Sequence, residues 1–326
     1  MLRFFGHASY DFIRVRRTAY VVTAVVLLPG LFLLLVRGLN YSIEFTGGTL
    51  LQVQSSQPVN VADLRSGLDR EGIRGAEIQN FGAPNEYVIR ARVGKPGSDA
   101  NDTQITAASV RKALDGVLGA GKYTVVRTEA VGPKVGGELR QKAFLAIFLS
   151  FFAVLAYLAY RFEWRFGLAA VVATAHDILA TIAFIAALRL EVSLTVVAAI
   201  LSMVGYSLND TIIIFDRVRE NLHKHKNESL VQILNRSINE TLPRSILTHG
   251  TTLATLLALI IFGGAVIRPF ALVMFFGVFT GTFSSIFIAA PVLMAIQKRW
   301  PGAAARGHLN PKPAPAPPRK AQPAGR

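Results

Sequence analysis

The sequence predicts a polytopic α-helical membrane protein with six transmembrane helices and one extracytoplasmic α+β domain of ferredoxin-like (βαββαβ) order. Composition is the first observation: 52% of the 326 residues are hydrophobic, 17% are charged and the mean hydropathy is +0.41, which is not the profile of a soluble globular protein. The second is a set of six apolar runs near or above the roughly 18 residues that a membrane-spanning helix needs. The third is a change to alternating, charged sequence between the first two runs.

Charge and missing residue types narrow the class further. The net charge is +15, but the lysines and arginines concentrate in short segments beside apolar runs, which is the positive-inside pattern of membrane proteins. The chain has no cysteine, which excludes disulfides, thiolate catalysis and cysteine metal sites. It also lacks a phosphate-binding glycine loop. We therefore expect contact with membrane lipids, no nucleic acid, no cofactor and no enzymatic activity.

Residues 1–37 are expected to form a cytoplasmic N-terminus and the first transmembrane helix. Four arginines precede an apolar run over residues 18–36. A secretory signal peptide would have an apolar core of about 7 to 15 residues followed by a small-residue cleavage site. The run is longer than that and no such site follows it, so we expect an uncleaved first helix.

Residues 38–140 form the predicted extracytoplasmic domain. They carry twelve Lys/Arg and eleven Asp/Glu but no apolar run of spanning length. A domain of about 100 residues buries enough surface to fold by itself. The expected elements are a strand over 49–54, a helix over 60–71 with Asn60 as its N-cap, strands over 73–81 and 86–93, a helix over 106–118 and a strand over 123–131. This is the split βαββαβ order of ferredoxin-like domains.

Residues 141–297 carry the other five predicted transmembrane helices. Their apolar runs cover 143–160, 166–188, 192–215, 245–262 and 270–296. Six spans put both termini on one side of the membrane. The basic loops assign that side to the cytoplasm, so we expect a multi-pass membrane protein with both termini in the cytoplasm.

Two segments on the charged side are not spans. Residues 217–243 have an apolar stripe at helical spacing, which predicts an amphipathic helix that either lies in the membrane interface or packs as a connector under the bundle. Pro243 is expected to begin the fifth membrane helix, where its missing N–H costs nothing. Residues 298–326 are rich in Pro and Ala and carry seven Lys/Arg but no acidic residue, which predicts a disordered basic cytoplasmic tail.

The most informative stretch is 205–221, which begins inside the fourth apolar run and ends in charged residues. Asn209 and Asp210 therefore lie within the membrane. A charged side chain at the centre of a membrane helix costs roughly 2.5 to 3.5 kcal/mol, and such groups usually face a bundle interior or an ion path. Two interpretations stay open: Asp210 carries protons, or it only bonds neighbouring helices together. Tyr206 shares about the same helix face, and Gly205 beside it allows close helix approach.

Other titratable residues lie in the apolar runs. His176 and Asp177 are near the middle of the third span, His249 is in the fifth, and Arg244 is at its start. A metal site needs further ligands at usable spacing, and the sequence does not supply them, so we expect no metal. A proton path needs only titratable groups on facing helices. These four residues and Asp210 are candidates for such a path.

Four blocks of sequence carry a resemblance to a known family. They are residues 43–49 (IEFTGGT), 131–139 (VGPKVGGEL), 205–222 and 235–252 (NRSINETLPRSILTHGTT). Over nearly its whole length the chain resembles the SecF branch of the SecD/SecF family of protein-export membrane subunits, within the resistance-nodulation-division superfamily. The matching motif residues are Glu44, where Asp is commoner in the family, and Gly47, Gly48, Gly132, Gly136, Glu138 and Gly205.

The resemblance implies an accessory subunit of the Sec machinery that uses the proton-motive force to promote late translocation of secreted proteins. Its implied partners are SecD, the SecYEG channel, YajC and the exported preprotein. It also implies that Asp210 is the family's intramembrane acidic residue, with Arg244 as its partner and Asn209 in the same proton relay. A nearby arginine favours an ionised carboxylate and desolvation favours the protonated form, so a small rearrangement can bind or release a proton. The coupling ion, H⁺ or Na⁺, stays open.

Two other function classes stay open at this point. One is a half-unit of a proton-driven small-molecule exporter of the same superfamily. Such an exporter normally needs two repeats in one chain or larger extracytoplasmic domains, so six spans and one small domain indicate a half-unit that awaits a partner. The other is a structural membrane scaffold, which does not account for the cost of Asp210. Co-purification with a second six-span protein separates a half-unit from a scaffold.

Overall fold

The computed structural model of the chain describes residues 9–91, 100–161 and 163–309. In chain order its elements are α1 (Arg16–Arg37), β1 (Asn40–Tyr41), α2 (Ile43–Thr46), β2 (Gly48–Ser55), α3 (Val61–Arg70), β3 (Glu77–Asn80), β4 (Glu86–Ala91), α4 (Ala100–Leu118), β5 (Tyr123–Val131), α5 (Pro133–Arg161), α6 (Trp164–Ala187), β6 (Glu191–Val192), α7 (Leu194–Lys224), α8 (Leu230–Phe262), α9 (Gly264–Ser284), α10 (Ala290–Arg299) and α11 (Arg306–Leu309). A π-helical turn, Ser285–Ala289, joins α9 to α10.

Six helical segments of the described chain are long and apolar enough to cross a membrane, which confirms the predicted number. They are α1, α5, α6, α7, α8 and the continuous α9–α10. Half or more of the residues in α6, α7 and α9–α10 are buried, so these three form the centre and the other three cover them. Gly30 of α1 is buried against Ala183 of α6, where a Cβ on residue 30 would lie 2.5 Å from that of Ala183. A glycine here sets how closely α1 approaches the centre.

The domain between α1 and α5 is built on an antiparallel sheet of strand order β3-β4-β2-β5. Its elements follow in the order β2, α3, β3, β4, α4 and β5. Asn60 caps α3 as expected, because its side chain accepts a hydrogen bond from the backbone N–H of Ala62. Alternate side chains of β2 and β4 pack under α3 and α4 in one core, which includes Leu51, Val53, Leu64, Leu68, Ile89 and Leu114. The other face of the sheet lies over the ends of membrane helices.

A short parallel ladder that the sequence did not predict ties this domain region to the helix bundle. β1 follows α1 and pairs with β6, which precedes α7, in the register Asn40 to Glu191 and Tyr41 to Val192. The ladder continues through the N–H of Ser42, which donates to the carbonyl oxygen of Val192 over 2.9 Å. The exit of α1 and the entry of α7 therefore share backbone hydrogen bonds.

The segment 217–243 is not a separate helix but is divided between two helices, and it packs as the connector of the second alternative. Helix α7 runs on to Lys224, and α8 begins at Leu230 behind a capping box made by Ser229 and Gln232. The two extensions bind each other: Nε of Arg217 donates to Glu240 over 2.6 Å, and Asn221 donates to Ser237 over 3.0 Å. They form a packed hairpin between the fourth and fifth candidate membrane helices.

Pro243 lies inside α8 rather than at its start, which corrects the predicted boundary of the fifth span. A proline within a helix removes one i to i−4 hydrogen bond. Here the buried side chains continue at helical spacing through Leu234, Ile238 and Leu242, so packing keeps the helix continuous.

The prediction of a disordered tail over 298–326 is wrong for residues 298–309, whereas residues 310–326 lie outside the described part. The turn α11 packs against the hairpin, and His308 is buried there. Its ring nitrogens lie 2.9 Å from the carbonyl oxygen of Leu222 and 2.7 Å from that of Glu228. These carbonyls border the α7–α8 turn, where a helix end leaves backbone acceptors without intrahelical donors.

The segment before α1 is held by two asparagines one turn apart on α8. Asn239 accepts from the N–H of Tyr10 over 3.0 Å and donates to its carbonyl oxygen over 2.9 Å. Asn235 accepts from the N–H of Ile13 over 3.1 Å and donates to Asp11 over 2.8 Å. We call this set the asparagine clamp.

Candidate functional site

Asp210 is buried between α7 and α8, with 3% of its surface exposed. The hydroxyl of Ser245 donates to its Oδ1 over 2.5 Å. Its Oδ2 is also buried, and among the described residues it has no hydrogen-bond partner. Buried polar atoms are almost always paired, so an unpaired buried carboxylate oxygen needs an explanation. It is the atom at which a proton can be added without breaking a bond.

The next turn of the same helix pair carries Tyr206 and His249. Their rings meet edge to face with centroids 5.3 Å apart. The Tyr206 hydroxyl lies 3.0 Å from the carbonyl oxygen of Thr248 and 2.8 Å from the hydroxyl of Thr252. His249 is 5% exposed, and its Nδ1 has no partner within the described chain. The antiparallel register thus puts His249 one turn from Asp210, in the same contact layer.

Arg244 and Asn209, the other predicted relay residues, flank this site rather than fill it. Both are exposed, and the direct partner of Asp210 is Ser245. The charge of Arg244 acts on Asp210 through space. Ser245 was missed by the sequence analysis. Its spacing of four residues from His249, on the face of α8 that packs on α7, was the available signal.

His176 and Asp177 form a second cluster on α6, which contacts α7 at Ser207. Asp177 is fully buried: its Oδ1 lies 3.0 Å from Nδ1 of His176, and its Oδ2 accepts from Ser207 over 2.6 Å and from Ser284 over 2.7 Å. One turn further along α7, Thr211 and Ser285 lie 2.7 Å apart, hydroxyl to hydroxyl. Both carboxylate oxygens of Asp177 are therefore occupied, in contrast to Asp210.

The glycines of the two motifs flanking the domain lie against each other. A Cβ on Gly136 would lie 2.8 Å from the backbone nitrogen of Gly47, and a Cβ on Gly47 would lie 2.7 Å from Cα of Pro133. Gly47 also has a φ of +73°, which favours glycine. The start of α5 therefore packs on the backbone of the first motif, and any side chain at these positions separates them.

The remaining motif residues have different surroundings. Gly48 has a φ of +136°, and a Cβ there would lie 2.8 Å from the carbonyl oxygen of Ala91. Glu138 is exposed, and nothing lies within 4 Å of a Cβ on Gly132 or Gly205. Gly205 therefore makes no close helix contact within the described chain.

Close approach to α7 is made instead by two glycines of α9. A Cβ on Gly277 would lie 2.8 Å from Cγ of Met203, and one on Gly281 would lie 2.8 Å from Cβ of Ser207. These were not singled out from the sequence. They bring Ser284 within reach of the Asp177 cluster.

Glu44 connects the first motif to the helix that carries Asp210. Its Oε2 accepts a hydrogen bond from the N–H of Leu194, the first residue of α7, over 2.6 Å. A carboxylate at a helix N-terminus is stabilised by the unpaired N–H groups and by the helix dipole.

As for metals, no group of three or more His, Asp or Glu residues with suitable geometry occurs in the described ranges.

Two family descriptions match the sequence. "Protein export membrane protein SecD/SecF, C-terminal" matches residues 110–299, and "SecD/SecF GG Motif" matches residues 32–59. The first covers the five later membrane helices, including Asp210. The second covers Glu44 and its two neighbouring glycines.

Proteins named protein translocase subunit SecF are similar over most of their length. The one from Gemmatimonas aurantiaca is 57% identical over 309 residues, which are 92% of this chain and 91% of the relative. Those from Desulfurispirillum indicum and Vibrio alginolyticus are 41% and 39% identical, over 89% and 88% of this chain and 92% and 90% of the relatives.

Solved structures are similar as well. SecDF from Thermus thermophilus, described as a translocon-associated membrane protein, matches 90% of this chain at 35% identity with a TM-score of 0.80. A SecDF structure described as the super-membrane-facing form matches the same share at 36% identity with a TM-score of 0.65. The chain spans 39% of the SecDF chain in each case.

Proposed function

The chain belongs to the SecD/SecF family of protein-export membrane proteins and is an accessory subunit of Sec export, and from that premise we propose that it works by moving protons through Asp210. The proton-motive force would then promote late translocation of secreted proteins across a bacterial cytoplasmic membrane. The unpaired Oδ2 of Asp210 is the observation that carries this proposal.

A purely structural role for Asp210 is less well supported than proton transfer. A carboxylate that only joins helices is expected to use both oxygens, as Asp177 does. Asp210 uses one, and a second titratable side chain, His249, lies one turn away. Proton binding at Oδ2 removes the charge whose burial is costly, and the charge of Arg244 favours its return.

The face of α7 and α8 beside this site supports SecD as a partner. Small polar residues are exposed there at membrane depth: Ser202, Gly205, Asn209, Thr248, Thr251 and Thr255. Lipid tails offer no hydrogen bonds, so a polar helix face is normally covered by protein. Since the chain spans 39% of the SecDF chain, a second half provides that cover. SecYEG, YajC and the exported preprotein are the further partners in this proposal.

The topology that we propose puts both termini in the cytoplasm and residues 38–140 outside it as a ferredoxin-like domain. Basic side chains on the α7–α8 hairpin and after α10 support this orientation by the positive-inside rule. The observed order of β2, α3, β3, β4, α4 and β5 supports the domain assignment.

Export of a secretory precursor into inverted vesicles tests the proposal. Asp210→Asn is expected to abolish the gradient-stimulated part of export while SecD still co-purifies, because Asn keeps the volume and hydrogen bonding but not the titratable proton. Asp216→Asn is the matched control, since Asp216 lies on the same helix but is exposed at the cytoplasm-side end. Collapsing the proton and sodium gradients separately identifies the ion. Normal stimulation with Asp210→Asn would exclude Asp210 from the mechanism.

A further inference from the structure

A cleft of about 130 Å³ separates the open face of the domain sheet from the ends of the membrane helices. The sheet contributes Arg90 of β4 and both Arg127 and Glu129 of β5. The bundle side contributes Glu44 and Glu191, which lie in the segments before β2 and α7. We call this the domain–membrane cleft.

One ion pair crosses the domain–membrane cleft. Nη2 of Arg90 contacts Oε2 of Glu191, and Glu77 lies 3.8 Å from the same guanidinium group. The Arg90 side chain is 11% exposed, and its Nε and Nη1 have no hydrogen-bond partner in the described chain. This contact ties β4 to β6, the short strand before the N-cap of α7.

Charges in the cleft do not balance. Three carboxylates, those of Glu44, Glu129 and Glu191, line the cleft with Arg90 and Arg127, and Glu77 lies beside Arg90. Arg127 pairs with Glu129. Burial raises the pKa of Glu191 above its usual value; Arg90 opposes this, and Glu77, Glu44 and Glu129 add to it. A proton is therefore bound more tightly by Glu191 in the closed cleft than in water.

The same cleft reaches the proton-carrying helix. Glu191 is in β6, two residues before Ser193, the N-cap of α7, and Glu44 accepts from the first N–H of α7. A change in the position of the sheet therefore acts on the end of the helix that holds Asp210.

We propose that Glu191 is a proton-binding residue on the outer side of the membrane and that its protonation holds the domain against the helix bundle. This rests on the proposed function for its orientation, since export driven by the proton-motive force places the higher proton concentration on the domain's side. Protonation leaves Arg90 able to donate to the neutral carboxyl group and removes the repulsion among the four carboxylates.

The direction of the pH dependence follows from the linkage between proton binding by Glu191 and docking of the domain. A group that binds protons more tightly in the closed cleft stabilises that state when it is protonated. Low external pH therefore favours the docked domain, and loss of the Glu191 proton loosens it. The domain becomes mobile when its side of the membrane is no longer acidic.

Distance measurement between spin labels tests this. The chain has no native cysteine, so Ser66→Cys on α3 and Leu188→Cys after α6 give one exposed label on each side of the cleft. In nanodiscs we expect one docked distance at pH 4 and a smaller docked fraction at pH 8, with a midpoint above the usual 4.5 of a glutamate. A distribution that does not change between these pH values overturns the proposal.

Variants assign the response to the cleft. Glu191→Gln is expected to give the docked distance at every pH, whereas Arg90→Gln is expected to move the midpoint to higher pH because the opposing cation is lost. Glu71→Gln, a carboxylate that pairs with Lys112 away from the cleft, is the matched control and should behave as wild type. An unchanged response in Glu191→Gln contradicts the proposal.

The pH dependence of the docked fraction is also expected to persist in Asp210→Asn. Its loss there would place the proton sensor in the membrane rather than in the cleft. Because the distance is read without any export, the result does not depend on the outcome of the export assay.

Discussion

Ser245 of α8 donates a hydrogen bond of 2.5 Å to Oδ1 of Asp210 on α7 and leaves Oδ2 of the same carboxylate unpaired. One oxygen thereby fixes the orientation of the group while the other remains available. Ser245 thus positions the carboxylate through Oδ1, and Oδ2 is available to bind a proton.

Ser245→Ala is expected to lower gradient-driven export at least about tenfold without loss of the SecD complex. A hydrogen bond to a charged group contributes about 1.5–3 kcal/mol, and its removal leaves Asp210 free to turn. The measurement is export into inverted vesicles with and without the proton gradient. Ser245→Thr keeps the hydroxyl and should retain most activity; equal losses in both variants would argue against the hydrogen bond as the cause.

Asp177→Asn is expected to destabilise the protein by about 1–3 kcal/mol, unlike Asp210→Asn. Its Oδ2 accepts from two serine hydroxyls and its Oδ1 faces Nδ1 of His176. An amide whose oxygen keeps both serines turns its NH2 group towards His176, so the acceptor at that position is lost. Thermal unfolding in detergent measures the difference. A melting temperature equal to that of wild type would show that the cluster does not hold α6, α7 and α9 together.

Gly136→Ala is expected to destabilise the contact between the two motifs by about 1–3 kcal/mol, because the added methyl group meets the backbone of Gly47. The adjacent Gly137→Ala is the matched control. Nothing lies within 4 Å of a Cβ at position 137, so alanine there is expected to be neutral or to stabilise the helix by up to about 1 kcal/mol. Thermal unfolding of both variants is compared. The same melting temperature in both would contradict a steric cause.

Tyr123 is expected to make the folded domain less stable at strongly alkaline pH. Burial, together with the hydrogen bond to Asp115 and its charge, raises the pKa of Tyr123 from 10.0 to about 12. The folded state thus favours the neutral phenol, so this stabilisation is complete below pH 10 and is lost as the pH rises to 12. Ultraviolet titration of phenolate formation should show a late-titrating component that becomes smaller in Tyr123→Phe. A wild-type curve without that component would contradict the assignment.

Single cysteines test the orientation. Ser66→Cys on α3 and Ala303→Cys after α10 are both exposed positions, and the chain has no native cysteine to interfere. An impermeant thiol reagent added to intact cells with a permeable outer membrane should label the first and spare the second. Labelling of both from the same side would contradict the proposed topology.

The sequence predicted well those features that depend only on residues close together in the chain. Long apolar runs gave the six spans, and Asp210 stood out because a carboxylate is rare in such a run. Boundaries were less accurate where packing overrides local preference. Proline is a common first residue of a helix. Thirteen residues of α8 nevertheless precede Pro243, because their buried side chains pack in the core and keep the helix continuous.

Features that depend on pairing distant segments were out of reach of the sequence. The β1–β6 ladder joins residues about 150 positions apart and each strand has two residues, too few for any periodicity. Ser245 was one of many hydroxyl residues in the fifth span, and only the register of α7 against α8 distinguishes it. His308 looked like part of a proline-rich tail because the carbonyls that bind it lie 80 and 86 residues earlier.

The asparagine clamp can form only late in the synthesis of the chain. Its two halves are separated by 222 and 229 residues, so the backbone groups of Tyr10 and Ile13 find Asn239 and Asn235 only when five of the six membrane helices are made or being made. At about 5–20 residues per second this takes roughly 10 to 45 s. The first helix therefore enters the membrane long before its anchor exists, and the clamp closes as a late step of assembly.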